Sequence, residues 1–173
     1  ADDGRMRWPA GEDALVSRVY TIRSIDPDRN EIAIDFVLHE DAGPASAWAA
    51  AARPGDVAGM LGPGGGTVAK AGRYVLAGDE TALPAISRLL ESLPAGARGI
   101  ALIEVADAAE EQAIDNRTAI EVRWLHRDGA AAGTTTLLPD VVAALAPPAE
   151  GEDLFFWAGC EFSAFKTIRA HVR

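Results

Sequence analysis

The sequence is poor in the residues that build metal or disulfide frameworks: it has one cysteine, Cys160, and three histidines. A single cysteine excludes an internal disulfide framework and fits a reducing compartment. The histidines and the cysteine are too far apart for zinc-like spacing, so no protein-built metal site is expected. No apolar run reaches the roughly 18–20 residues of a spanning helix. The opening Ala1-Asp2-Asp3-Gly4-Arg5 lacks a signal-peptide layout, so the expected location is the cytoplasm. Basic residues are also scarce: 16 Lys and Arg stand against 26 Asp and Glu, a formal net charge of −10. A duplex-binding surface must replace counterions with positive charge, so nucleic acid is not an expected partner. Phosphorylated cofactors remain compatible, because a few arginines and helix N-termini can supply a local positive field.

What is present is a chain of 173 residues, 49% hydrophobic, sufficient for one domain or two small ones with a real core. The first half reads as strands. Ala14 to Ile25 alternates, with Val16, Arg18, Tyr20 and Ile22 on one face. Asp26-Pro27-Asp28-Arg29-Asn30 is a turn, and Glu31 to His39 alternates again, so the two segments predict an antiparallel pair. Gly43-Pro44 opens a short Ala-rich helix to about Ala52, with Pro44 suited to the first helical position. Val57 to Leu61 is read as a further strand. Gly62-Pro63-Gly64-Gly65-Gly66 then marks a linker, placing a domain boundary within 62–72 and dividing the chain into residues 1–66 and 67–173.

The second half changes rhythm. Strands are expected at Tyr74–Ala77, Ile100–Val105, Ile120–Leu125 and Leu154–Ala158. Helices are expected at Thr81–Leu93, Ala108–Ile114, Leu137–Leu145 and Glu161–Val172. This alternation implies right-handed βαβ units and a parallel α/β sheet. Ligands on such sheets bind beyond the carboxyl ends of the strands, where Gly78-Asp79-Glu80-Thr81, Leu125-His126-Arg127 and Gly159-Cys160-Glu161 fall.

Several residues invite a chemical reading beside a bland one. On a strand, Arg18 and Tyr20 share a face with Thr21 opposite. A guanidinium can hold a pyrophosphate, and a tyrosine ring can stack on a planar heterocycle; the alternative is a surface arginine beside a half-buried tyrosine. Gly43-Pro44-Ala45-Ser46 opens a helix whose free N–H groups form an anion site, or it is an ordinary helix start packed by Trp48. Gly78-Asp79-Glu80-Thr81 is not Gly-x-Gly-x-x-Gly, and its two carboxylates would sit close to any phosphate. Arg127 could receive the 2′-phosphate of NADPH, the favoured reading, or be a solvated arginine. Glu104, at a strand end, would instead suit the ribose hydroxyl of NADH. Cys160 reads as packing in preference to a catalytic thiol, and Trp48, Trp124 and Trp157 as core or interface residues.

Taken together, and in order, Arg18-Val19-Tyr20-Thr21, Asp35-Phe36-Val37-Leu38-His39, Gly43-Pro44-Ala45-Ser46-Ala47-Trp48-Ala49 and Gly62-Pro63-Gly64-Gly65 resemble the flavin domain of siderophore-interacting proteins. These are ferric-siderophore reductases within the ferredoxin–NADP reductase-like superfamily. Gly78 through Ile86, Trp124-Leu125-His126-Arg127 and Phe156-Trp157-Ala158-Gly159, running into Ser163-Ala164-Phe165-Lys166, resemble the second domain of the same family. The resemblance implies a partial antiparallel β-barrel binding FAD, followed by a parallel-sheet α/β domain binding NADPH or NADH. It implies that Arg18 and Tyr20 contact FAD phosphate and isoalloxazine and that Thr21 lies near the flavin N5, making Tyr20 and Thr21 the residues closest to the chemistry. Asp35 and His39 would lie along the cofactor, and Ala45 and Ser46 would hold its pyrophosphate. Gly78 to Thr81 would form the nicotinamide-nucleotide loop, with Ala158, Gly159 and Glu161 flanking the nicotinamide.

The implied activity is hydride transfer from NAD(P)H to flavin, then single-electron reduction of a ferric siderophore to release Fe²⁺. Relative to the family, most strands before the Arg-x-Tyr-Thr motif and an aromatic C-terminal tail are absent from this stretch, so either further residues of the same molecule, the favoured reading, or another chain is expected to complete the barrel. Two alternatives stay open: a same-fold flavin reductase serving another acceptor, and a non-catalytic siderophore-binding accessory protein.

Overall fold

The computed structural model describes Gly11 and residues 16–39, 43–62, 64–66 and 68–172. These fall into two compact units: residues 16–20 with 36–58, and residues 21–35 with 59–172.

The smaller unit contains one helix, α1 (Pro44–Ala51), with Gly43 extended at its N-cap and proline in its first turn. Among the described residues of this unit no strand ladder forms around it, and residues 53–56 make a turn. The predicted strand over Ala14–Ile25 survives only from Ile22, with Ala14 and Leu15 outside the described residues. The second predicted strand stops at Ile34, short of His39. Val57–Leu61 forms no strand and leaves Val57, Met60 and Leu61 exposed. The reason is common to all three: an alternating segment becomes a strand only when a neighbour satisfies its N–H and C=O groups. Among the described residues these segments have none.

The larger unit begins with an antiparallel hairpin, β1 (Ile22–Asp26) and β2 (Glu31–Ile34). Its turn is held by Asp26, whose carboxylate accepts from the backbone N–H groups of Asp28 and Arg29, both at 3.1 Å, and Asn30 takes the left-handed conformation at φ 54°. The unit continues through β3 (Arg73–Asp79), α2 (Leu83–Ser92), β4 (Arg98–Val105), β5 (Ala119–His126), α3 (Leu137–Ala143), β6 (Leu154–Gly159) and α4 (Phe162–His171). Strands β3 to β6 form one parallel sheet in the order β5-β4-β3-β6. An antiparallel pair followed by a parallel α/β sheet is the expected fold class. The expected helix over Ala108–Ile114 is only a single turn, Ala108–Glu110. Asp107 caps that turn by accepting from the Ala109 backbone N–H, but so short a segment does not repay nucleation.

The two-residue period of the strands sorts their side chains to opposite faces. Tyr74, Leu76, Ala101, Ile103 and Val105 pack under Leu83, Ile86 and Leu90, which recur at helical spacing along α2. Val75, Ala77, Ile100 and Leu102 pack on the other side against Leu138 and Val142 of α3 and Ile168 of α4. Trp124 and Trp157 border the α2 core. Hairpin and helix are joined by Arg23, whose guanidinium grips both carboxylate oxygens of Glu91 at 2.8 and 3.2 Å. Gly99, at φ +147°, lets β4 approach β3: a Cβ there would stand 1.8 Å from the Tyr74 carbonyl oxygen.

Candidate functional site at the carboxyl edge of the parallel sheet

Chain order runs from β3 through β4 to β5, then reverses past β3 to β6. The reversal point of such a sheet leaves a crevice outside the carboxyl ends of its strands. Here that crevice is a cleft of about 260 Å³, bordered by residues 79–81 after β3, Glu104 at the end of β4, Arg127 after β5, the loop containing Gly133 and Thr135, and Cys160 and Glu161 after β6. Ligand pockets usually span about 300–1,000 Å³, so this one lies just below that range.

The period of the strands also decides which polar groups meet. Glu104 lies on the same face as Ile100 and Leu102, the face covered by α3. It is buried there, accepting from Thr135 Oγ1 at 3.0 Å and from the Leu138 backbone N–H at 3.3 Å. The N-terminal end of α3 thus faces a carboxylate, the favourable sign for its dipole. Asp79 shares its face with Val75 and Ala77. One oxygen accepts from Thr81 N–H at 2.9 Å and Thr81 Oγ1 at 2.6 Å; the other accepts from Glu161 N–H at 2.9 Å. Asp79 therefore ties the loops after β3 and β6 together.

Arg127 is 8% exposed. Its two terminal nitrogens donate to the two carboxylate oxygens of Glu80 at 2.8 and 2.7 Å, and Glu104 Oε1 lies 3.6 Å from Nη1. Its buried Nε has no hydrogen-bond partner among the described residues. Burial pushes the Glu80 carboxyl up, but the hydrogen bonds and charge of Arg127 outweigh it, so Glu80 sits below the ordinary carboxylate range. Hydrogen bonds to Glu80 raise the Arg127 pKa against the effect of burial, with Glu104 adding to the rise. Glu161 is lowered by hydrogen bonds from the Ser163 hydroxyl and backbone, which make it the N-cap of α4. Cys160 is pushed up to about 11, first by burial and then by the carboxylates of Asp79, Glu104 and Glu161. Its thiol is neutral at physiological pH.

Thr81, Arg127 and Glu161 line the cleft together. Gly78 and Gly159 stand behind it, where their lack of a side chain serves packing. A Cβ on Gly78 would lie 2.4 Å from the Ala82 Cβ and 2.8 Å from the Gly159 carbonyl oxygen. A Cβ on Gly159 would lie 2.9 Å from the Trp157 ring. Ala158 packs towards the α3–α4 core. Sequence reasoning missed that Glu80 is the partner of Arg127 and that Gly133 and Thr135 close the cleft. The available signal was that residues 80 and 127 each follow a strand of one parallel sheet.

In the smaller unit, Tyr20, Phe36 and Trp48 form an aromatic row, with ring centroids 4.5 Å apart for Tyr20–Phe36 and 6.3 Å for Phe36–Trp48. Tyr20 and Trp48 are partly exposed, Ser46 is buried in the first turn of α1, and His39 is exposed. Arg18 is exposed and donates to the Ser17 carbonyl at 2.9 Å. Helix α1 has no side-chain cap, so its first-turn N–H groups, Ala45 and Ser46 among them, remain for another acceptor. Thr21 and Asp35 belong to the larger unit. Asp35 lies 4.0 Å from Arg23 Nε.

Two family models match the chain in succession: the siderophore-interacting FAD-binding domain over residues 1–67 and the siderophore-interacting protein domain over residues 71–173. The chain belongs to the siderophore-interacting protein family. Among curated relatives, the family member resembles ferric vibriobactin reductase ViuB of Vibrio cholerae, with 38% identity over 126 residues, covering 72% of this chain and 46% of the relative. It therefore spans about half the length of that relative. A siderophore utilization protein from T. fusca is 44% identical with a TM-score of 0.81, over 94% of this chain and 64% of that one. The siderophore-interacting protein SipS from Aeromonas hydrophila is 33% identical with a TM-score of 0.83, over 95% and 64%. Among the described residues, no helix is long and apolar enough to cross a membrane, and no group of three or more His, Cys, Asp or Glu is arranged to hold a metal ion.

Proposed function

We propose that this chain supplies the flavin- and nicotinamide-binding parts of a cytoplasmic reductase that delivers electrons from NAD(P)H to a ferric siderophore, releasing Fe²⁺. The observation that carries the reading is the cleft at the reversal point of the parallel sheet, in a chain whose first 67 residues match an FAD-binding domain model. In this reading residues 1–66 serve the flavin and 67–173 the nicotinamide nucleotide.

The residues present fit both groups. The uncapped first turn of α1, at Ala45 and buried Ser46, offers donors for a pyrophosphate. Exposed Arg18 adds a guanidinium, and the row of Tyr20, Phe36 and Trp48 offers flat surface for a heterocycle. By the family resemblance, Thr21 would contribute a hydroxyl to the flavin, and Asp35 and His39 would lie along the cofactor. The cleft presents hydroxyl and carboxylate groups of Thr81, Thr135, Glu80 and Glu161, which suit the hydroxyls of a ribose.

Bound flavin supplies the conversion of one hydride into two single-electron transfers, so each NAD(P)H reduces two ferric ions and releases one proton. The protein's part is to bind and orient; no side chain has to move a proton as general base. Ferric vibriobactin reductase, named for such an activity, supports the acceptor class.

The purified protein, supplied with FAD, should show a flavin absorbance spectrum that bleaches anaerobically with NADH or NADPH and returns on adding a ferric siderophore. A protein that takes up no flavin would exclude the reductase reading in favour of an accessory binding role. Reoxidation by a redox protein and not by the siderophore would reassign the acceptor.

A further inference from the structure

The cleft is lined by four carboxylates, Asp79, Glu80, Glu104 and Glu161, against one guanidinium, Arg127. Arg127 is the group a 2′-phosphate would seek, yet its terminal nitrogens are both taken by Glu80, and Glu104 approaches from a second side. The arginine thus enters the cleft as a neutralised pair. A phosphate arriving there would have to displace one carboxylate in a region already in negative excess. A ribose hydroxyl faces no such contest, since carboxylates accept and hydroxyls donate. Strand-end acids select the 2′-hydroxyl of NADH in other parallel sheets, whereas a free arginine accommodates the 2′-phosphate of NADPH.

We propose that Glu80 is the specificity-determining residue of this cleft: by occupying Arg127 as an internal anion, it selects NADH over NADPH. The proposal rests on the reading of the cleft as the nicotinamide-nucleotide site. Arg127 is a positioning residue in this scheme. It holds Glu80 and Glu104 in place, and the hydroxyl-binding wall is built from acceptors. Glu80 keeps an oxygen surface towards the cleft, with its side chain 22% exposed against 5% for Arg127.

Calorimetric titration of the protein with 5′-AMP and with adenosine 2′,5′-bisphosphate tests this without requiring turnover. Wild type should bind 5′-AMP at least about tenfold more tightly than the bisphosphate. Glu80→Gln keeps the shape but removes the charge, and should close or invert that ratio by a similar factor. Glu80→Asp keeps the charge and should preserve the wild-type order. Tighter binding of the bisphosphate by wild type would overturn the proposal, and so would an unchanged ratio in a folded Glu80→Gln protein. Should Glu80→Gln fail to fold, the wild-type ratio and Glu80→Asp still decide. Should neither probe, nor NADH, nor NADPH bind the wild-type protein, the nucleotide reading itself falls and the selectivity with it.

Discussion

Glu80 closes both of its carboxylate oxygens on the two terminal nitrogens of Arg127, at 2.7 and 2.8 Å, from positions 47 residues apart in the chain. One residue follows β3 and the other follows β5, so the pair spans the carboxyl edge across β4, whose last turnward acid, Glu104, stands 3.6 Å from the same guanidinium. Two carboxyl groups thus share one guanidinium in a largely buried site. Removing the cation leaves two carboxylates facing each other in a site that burial already makes unfavourable for charge.

Arg127→Ala should therefore lower the unfolding free energy by about 3–5 kcal/mol. Chemical denaturation followed by circular dichroism measures it. A loss within about 0.5 kcal/mol, as expected for a solvated surface arginine, would show that the pair contributes nothing.

The same pair sets an acid limit. Glu80 has a lowered pKa in the folded protein, so it contributes stability that is fully present above the unfolded value of about 4.3 and is lost as pH falls from there through the folded value. The melting temperature should fall below about pH 4.3 more steeply in wild type than in Glu80→Gln, which has no proton to take up. Parallel curves for the two proteins would remove Glu80 from the acid transition.

How far the sequence discloses this arrangement depends on the range of the interaction. The buried strands are legible because Tyr74–Ala77 and Ile100–Val105 are apolar runs of strand length, and α2 is legible because Leu83, Ile86 and Leu90 recur on one face. The N-cap of α4 by Glu161 is local, reaching only to Ser163. The Glu80–Arg127 pair is different. It exists only because the sheet order brings the ends of β3, β4 and β5 side by side, and no local pattern encodes that register. Val57–Leu61 shows the opposite failure: its composition permits a strand, but the ladder partner that would make it one is missing among the described residues.

Flavin retention should depend on the small unit's donors. Arg18→Ala should weaken FAD binding by about tenfold, the scale of one charge-assisted hydrogen bond. Quenching of FAD fluorescence on titration with protein reads this directly. An unchanged dissociation constant would return Arg18 to the status of a surface arginine.

Gly78 is a packing requirement of the site. Its missing side chain lets Ala82, just ahead of α2, sit against β3, and the Gly159 carbonyl is the next nearest group. Gly78→Ala should cost about 1–3 kcal/mol through overpacking. Because the shift pushes residues 79–82 outward, it should also weaken nucleotide binding. Retained stability and retained 5′-AMP affinity together would show that the loop yields freely.

Cys160 gives a prediction that separates packing from reactivity. It lines the cleft and is the only cysteine in the chain, so a thiol reagent reports on it alone. The nucleophile is the thiolate. Burial and the surrounding carboxylates of Asp79, Glu104 and Glu161 raise its pKa from 9.0 to about 11, which at neutral pH leaves roughly a hundredfold less thiolate than an unperturbed cysteine. Iodoacetamide should therefore alkylate the folded protein about a hundredfold more slowly than the denatured chain at pH 7.5, with the rate still climbing above pH 9. Cys160→Ser should leave NADH oxidation within about twofold of wild type, since a neutral thiol held for packing has no part in hydride transfer. Fast alkylation at pH 7.5, or a large loss of rate in Cys160→Ser with flavin and nucleotide binding intact, would make the thiol a participant.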